Sequence, residues 1–223
     1  MKICVITPRF ATAGVPLAQL RFARALAGYG HDVDLVIGRT DPEYPVPAVM
    51  GINIIKLKCR NVRQMLFPLW KYLREIKPDL IFSAEDHLNI IVILAAIGSG
   101  SKVKISGSSR VTPFDTYSNT LFTKRWILKQ FMRVAMSRAN VLTCVSKEMV
   151  DQYKRVFKSP PHVYAYNIID DSYSRKRLIE PINETWLLEN NDPIIIAAGR
   201  LAPWKGFTDL ILAMKELTKS RKA

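Results

Sequence analysis

The chain has 223 residues, more than one typical domain of about 100–200, so one full domain plus part of another is the natural partition. With 48% apolar residues and ordinary Gly and Pro levels, a packed core is within reach and an intrinsically disordered chain is excluded. The 33 Lys and Arg against 19 Asp and Glu leave a net charge of +14, which favours an anionic partner such as nucleic acid, an acidic membrane face or a phosphorylated substrate.

Short β-branched runs alternate with helical spacing from the start, where Met1-Lys-Ile-Cys-Val-Ile opens a strand and leaves no room for a signal peptide. In chain order the expected strands are 2–7, 32–37, 53–57, 80–83, 103–106, 141–145, 162–165 and 193–198. Expected helices cover 16–29, 62–76, 87–98, 121–137, 147–157 and 207–217, with Ser146 as an N-cap. Several strands are apolar throughout, as parallel strands covered on both faces are. The alternation implies right-handed βαβ units and an α/β, doubly wound, Rossmann-like parallel sheet. Residues 1–171 form the expected first domain, the polar 172–192 an interdomain connection, and 193–223 the first strand and helix of a second domain. The longest apolar run, Ile90–Ile97, is far short of the ~20 residues of a membrane span, so a soluble or peripheral cytoplasmic protein is expected. Cys4, Cys59 and Cys144 are far apart and two lie in apolar runs, which suits reduced, buried thiols.

Ligands of such sheets bind at the carboxyl ends of the strands, and the segments following the strands are therefore the candidates. After the first strand, Gly14 lets backbone approach a ligand beside a helix N-terminus. After the last comes Gly199-Arg-Leu-Ala-Pro-Trp-Lys-Gly-Phe207. There Arg200 can fork two diphosphate oxygens and Lys205 adds a compact charge ahead of a helix. His87 follows the fourth strand beside Glu85 and Asp86, Arg110 follows the fifth, and Asn167 lies near the proposed domain boundary. No Asp-x-Asp pair or carboxylate cluster suited to a catalytic metal follows an expected strand, and Asp170-Asp171 are merely adjacent. A dinucleotide fingerprint G-x-G-x-x-G is absent, and Gly38-Arg39 stand where a ribose-binding acid would be, against a nicotinamide-dependent oxidoreductase. No nucleic-acid-binding motif is present either.

The turn at Gly199–Phe207, continued by Leu210, Ile211 and Ala213, resembles the donor-diphosphate motif of the family 4 glycosyltransferases, retaining enzymes of the GT-B fold. Gly30-His-Asp-Val33, Lys77-Pro-Asp-Leu-Ile81, Ala139–Ser146 and Tyr166-Asn-Ile-Ile-Asp170 resemble further family segments, in the family's order. The resemblance implies that Arg200 and Lys205 offset charge on the departing diphosphate, electrostatic rather than acid–base catalysis. It also implies a nucleotide-diphosphate sugar as donor substrate, no cofactor, and a saccharide or lipid-linked acceptor held by the first domain. Gly14, His87, Arg110 and Asn167 are then substrate-binding candidates. Where many relatives carry a histidine after the fifth strand, this chain has Gly107–Asp115, and Arg110 faces the cleft instead. The family's second domain continues for about another 120–170 residues, an ordinary domain size, and carries paired glutamates that hold the donor. Residues 1–223 alone are accordingly expected to transfer little or no sugar, and a non-catalytic acceptor- or partner-binding module is the rival reading.

In the expected helix 121–137, Ile127, Leu128, Phe131, Val134 and Ala135 share a face. Arg125, Lys129 and Arg133 form a stripe beside it, flanked by Phe122 and Trp126. An aromatic-flanked basic stripe suits contact with an anionic membrane surface, and many relatives act on lipid-linked acceptors there.

Overall fold

The apolar runs pair edge to edge into one seven-stranded parallel sheet of order β3-β2-β1-β4-β5-β6-β7. The computed structural model describes residues 1–11, 14–169, 172–189, 193–199 and 201–220. The strands are β1 (Lys2–Phe10), β2 (Asp32–Thr40), β3 (Ile52–Lys56), β4 (Leu80–Ala84), β5 (Lys104–Ser109), β6 (Val141–Cys144) and β7 (His162–Tyr164). Helices α1 (Gly14–Gly28), α2 (Leu66–Ile76), α3 (Asp86–Ser99), α5 (Lys124–Ala135) and α6 (Lys147–Val156) connect them. A short helix α4 (Pro113–Thr116), which the sequence pattern did not suggest, follows β5. The strand order reverses between β1 and β4, and that switch point opens the crevice where doubly wound sheets take their ligands.

Both faces of the sheet are covered, which is why β1 and β2 read as apolar runs. Ile3, Val5, Leu35 and Ile37 pack with α1 through Leu20 and Ala23, and Phe22 stacks on Phe82 at 4.7 Å. Cys4, Ile6, Val36 and Ile81 face the opposite core with Leu69, Leu88, Ile93, Met132 and Tyr153. The three cysteines are free and buried. Within the strand β2, Asp34 is fully buried yet paired, accepting from Lys2 Nζ at 2.6 Å, Tyr72 OH at 2.7 Å and Asn53 Nδ2 at 3.0 Å. Ser146 caps α6 as expected, its hydroxyl accepting from Met149 N at 3.2 Å.

β5 and α5 are among the elements of the first unit that depart from the sequence pattern. β5 continues past Ser106 through Gly107-Ser-Ser109, because these small polar residues are flanked on both sides by β4 and β6 and partnered by side chains from α3. A Cβ at Gly107 would stand 3.1 Å from Met136 Cε and 3.3 Å from the Asn89 amide, so a larger residue there would make those side chains shift. The second departure concerns the face Ile127–Ala135 of α5. Leu128 and Ala135 pack on the core beside buried Met132, whereas Ile127, Phe131 and Val134 stay exposed.

By its contacts the chain divides into Met1–Lys176 and Arg177–Ala223, with the division falling inside α7 (Ser172–Leu178). The stretch read as a plain connection thus holds α7 and, further on, α8 (Thr185–Glu189). In the second unit the expected strand 193–198 is not formed among the described residues, since none of them offers it a neighbouring strand. A turn at Pro203–Lys205 leads through Gly206 into α9 (Phe207–Ser220). Gly206 sits at φ 70, a left-handed conformation that favours glycine, and its carbonyl accepts from Leu210 N at 2.9 Å.

Candidate functional site

The residues discussed next in the first unit come mainly from segments at the carboxyl edge of β1, β4 and β5 and from α1, joined by Tyr153 of α6 and by Asn167 after β7. α1 begins at Gly14, where no described residue lies within 4 Å of the place a Cβ would take. One turn on, Gln19 is fully buried, and its Nε2 donates to Ile6 O at 3.0 Å. That bond leaves Gln19 Oε1 to accept from Arg110 Nη2 at 3.4 Å. Arg110 also donates through Nη1 to Asn167 Oδ1, so the two sequence candidates are brought together. Its Nε is buried with no acceptor among the described residues. Burial pushes the Arg110 guanidinium down to about 10, against the attraction of Glu85. A guanidinium partly withdrawn from water at the carboxyl end of β5 is suited to attract an anionic ligand.

Glu85 ends β4 with φ 78 and ψ 135, a conformation that costs a non-glycine residue on the order of 1–3 kcal/mol. The surrounding pairing enforces it: Glu85 N donates to Ser108 O at 2.9 Å, and its carbonyl accepts from Leu88 N and Asn89 N. Its carboxylate lies 3.1 Å from His87 Nε2. Burial, and secondarily the adjacent Asp86, push the Glu85 carboxyl above the ordinary range, while His87, Arg110 and Arg9 oppose that rise. The strained backbone therefore aims a partly desolvated acid and a half-exposed imidazole from the same end of the sheet as Arg110.

Asp86 faces inward. It accepts from Ser109 Oγ, from Tyr117 OH at 2.5 Å and from Tyr153 OH at 2.8 Å. Burial raises its carboxyl, and the three hydroxyls hold it back. This cluster ties the start of α3 to the end of β5 and to α4 and α6, and so positions Glu85 on one side and Arg110 on the other. Gln19, Glu85 and Asp86 were not singled out as site residues from the sequence. The only sequence signals for them are polar residues set in otherwise apolar surroundings.

The donor-side candidates belong to the second unit. Arg200 is outside the described residues. Lys205 is exposed at the end of its turn, its backbone N donating to Ala202 O at 2.9 Å, just before α9. Among the described residues no group of three or more His, Cys, Asp or Glu could hold a metal ion. Likewise no helix among them is long and apolar enough to cross a membrane.

Arg125, Lys129 and Arg133, the cations of the basic helix, all have partners within the fold. Arg125 donates to the carbonyls of Phe114 at 2.6 Å and Tyr117 at 3.2 Å, and Lys129 Nζ to Asn119 Oδ1 at 2.6 Å. Arg133 Nη1 donates to Gln130 Oε1 at 3.2 Å. Phe122 is 83% exposed, its ring 5.7 Å from that of half-buried Trp126. On the other side of α5 an open groove of about 780 Å³ runs between α3 and α5. Its apolar wall comes from Ile90, Ile91 and Leu94 on α3 and Ile127, Leu128 and Phe131 on α5, with Val62 from the turn before α2. His87, Arg63 and Lys124 also line it.

A seven-stranded parallel sheet whose strand order reverses between β1 and β4 defines a Rossmann-like α/β unit of the GT-B type. The model of glycosyltransferase family 4 matches residues 14–173, and the chain belongs to that family. Among solved structures, sucrose-phosphate synthase of Thermosynechococcus elongatus is similar with TM-score 0.67 at 16% identity, over 96% of this chain and 59% of that one. HepE of Anabaena in complex with UDP-glucose matches with TM-score 0.64 at 14% identity, over 97% and 57%. A glycosyltransferase of Rickettsia africae ESF-5 matches with TM-score 0.64 at 15% identity, over 99% and 58%. The chain thus spans under three fifths of the length of these proteins. No curated protein matches its sequence.

Proposed function

We propose that this chain is the acceptor-side part, with the beginning of the donor-side part, of a retaining transferase. It moves a hexose-type sugar from a nucleotide-diphosphate sugar to a saccharide or lipid-linked saccharide. The bond between the anomeric carbon and the diphosphate oxygen breaks, and a bond to an acceptor hydroxyl oxygen forms on the same face of the sugar. The hydroxyl proton leaves with the diphosphate. Arg200 and Lys205 offset the charge that grows on the leaving diphosphate, a task for fixed cations rather than for a general acid. Gly14 and the N-terminus of α1 offer the donor's phosphates backbone N–H groups from the first unit. Arg110, Asn167 and His87 hold the sugar or the acceptor, with no cofactor or metal involved. A peripheral position at an anionic membrane face, through Phe122, Trp126 and the basic stripe, belongs to the same reading.

The observation that carries this reading is the Arg110 guanidinium at the carboxyl end of β5, its Nη groups held by Asn167 and Gln19 and its charge attracted by Glu85. Family membership supplies the reaction class, and the HepE structure supports a nucleotide sugar as donor by holding UDP-glucose.

The test is transfer and donor hydrolysis with UDP, GDP and ADP sugars, run on residues 1–223 and on the longest natural reading frame containing them. Activity is expected in the latter, with Lys205→Ala lowering kcat by about 10²–10³-fold, as losing one charge-stabilising donor does. If neither chain binds nor cleaves any nucleotide sugar, a non-catalytic acceptor-binding module is the correct reading instead.

A further inference from the structure

The groove between α3 and α5 is not used by the donor-side chemistry, and its composition is unusual for a surface. Leu94 and Phe131 line it at 43% and 59% exposure, and neither is covered by another element of its unit. Arg63 and Lys124 stand on the same lining, and among the described residues neither side chain has a hydrogen bond or an acidic partner. Apart from Asn61 and the three basic residues the lining is hydrocarbon, so a saccharide or peptide entering it would leave its own polar groups unpaired. Its volume of about 780 Å³ lies in the range of sites that enclose small ligands, about 300–1,000 Å³. A trough of this kind beside uncompensated cations complements a molecule with a long apolar chain and an anionic head.

We propose that this groove binds the chain of a single alkyl or isoprenyl phosphate, with the phosphate held by Arg63 and Lys124. The inference rests on the acceptor reading given above and makes it specific. His87 lines the groove and pairs with Glu85 in the crevice, so a saccharide carried on the phosphate would reach the transferring centre while its chain lies between the helices. Contact with a flat membrane surface predicts something different. It would depend on side chains that protrude, such as Val134, which is 74% exposed on α5 but does not line the groove.

The test uses the 223-residue chain and decyl phosphate kept below its micelle concentration, titrated by calorimetry without any nucleotide sugar. Saturable binding at one site is expected, with decanol and inorganic phosphate each at least about tenfold weaker, since each lacks one half of the complement. Leu94→Glu and Ile127→Glu change exposed positions and leave the melting temperature in place. Each weakens decyl phosphate about tenfold, the scale of losing one side chain's apolar contact. Lys124→Glu weakens decyl phosphate but not decanol, and Val134→Glu changes neither. No saturable binding overturns the proposal. So does an equal loss in Val134→Glu, which would identify a general interfacial face. Because donor is absent, failure here leaves the transferase reading standing, and failure of the transfer assay leaves this binding result intact.

Discussion

Replacing Tyr117 by phenylalanine removes one hydroxyl from the cluster that holds Asp86 and leaves the rest of the ring in place. The ring packs edge-on against Phe157 with centroids 5.1 Å apart, so Tyr117→Phe creates no cavity. What is lost is a 2.5 Å hydrogen bond to a buried carboxylate. A bond of that kind is worth about 1.5–3 kcal/mol, and about 0.5–1.5 once the acceptor is neutral. The sign of the pH dependence follows from burial, which raises the Asp86 carboxyl above its ordinary value. A raised acid keeps its proton longer in the folded than in the unfolded chain. Its contribution is therefore complete below the ordinary aspartate value and declines as pH rises through the folded value. Tyr117 opposes the rise, so removing it moves the folded value further up and deepens the decline on the alkaline side. Urea unfolding followed by circular dichroism should show a loss of about 2 kcal/mol at pH 8, or about 4–8 °C in Tm, and half of that or less at pH 4. A loss under about 0.5 kcal/mol at pH 8 would be no more than an ordinary surface change. That result, or an equal loss at both pH values, would refute an ionised Asp86 held by hydroxyl donors.

Gly38→Ala should destabilise by about 1–3 kcal/mol in the same assay, because its Cβ would stand 2.5 Å from the backbone oxygen of Pro8 and 2.5 Å from Met65 Sδ. Lys77→Gly should stabilise by about 1 kcal/mol and raise Tm by about 2–4 °C, since Lys77 closes α2 at φ 51, where glycine has no steric penalty. Arg110→Lys keeps the charge but not the fork. In the longest natural reading frame it should lower kcat/KM by about 10–100-fold, the value of one or two charge-assisted hydrogen bonds, with Tm little changed.

Much of the fold was legible because parallel strands buried on both faces write themselves as apolar runs. β1, β2 and β4 lie where such runs were read, and β1 and β2 overrun their expected ends by three residues each. β5 was cut short for a related reason: Gly107-Ser-Ser109 carry no hydrophobic signal, yet three-dimensional pairing with β4 and β6 keeps them extended. The stripe on α5 misled in the opposite direction. Periodicity identifies an apolar face but not whether a neighbour covers it, and here α3 covers only the part held by Leu128, Met132 and Ala135. The expected strand 193–198 has the right composition and no partner among the described residues, and a strand is a property of a pair rather than of a segment.

The site was legible to the degree that strand ends are. Arg110, His87 and Asn167 were singled out because each follows a strand or precedes the boundary region, and Arg110 and Asn167 meet directly. Glu85 was noted only as a neighbour of His87, because what sets it apart is a left-handed backbone angle that no residue pattern encodes. Gln19 escaped notice because a single amide on an apolar helix face is indistinguishable from a surface residue until Ile6 O is seen accepting from it. Asp86 is the more instructive omission, since its partners Ser109, Tyr117 and Tyr153 are contributed by three separate segments. The strain at Glu85 and the buried, unpaired donor on Arg110 are both unfavourable in isolation, and both flank this one buried carboxylate. A fold that keeps two costs side by side, braced by a third buried charge, has its rigidity concentrated where a ligand would repay it.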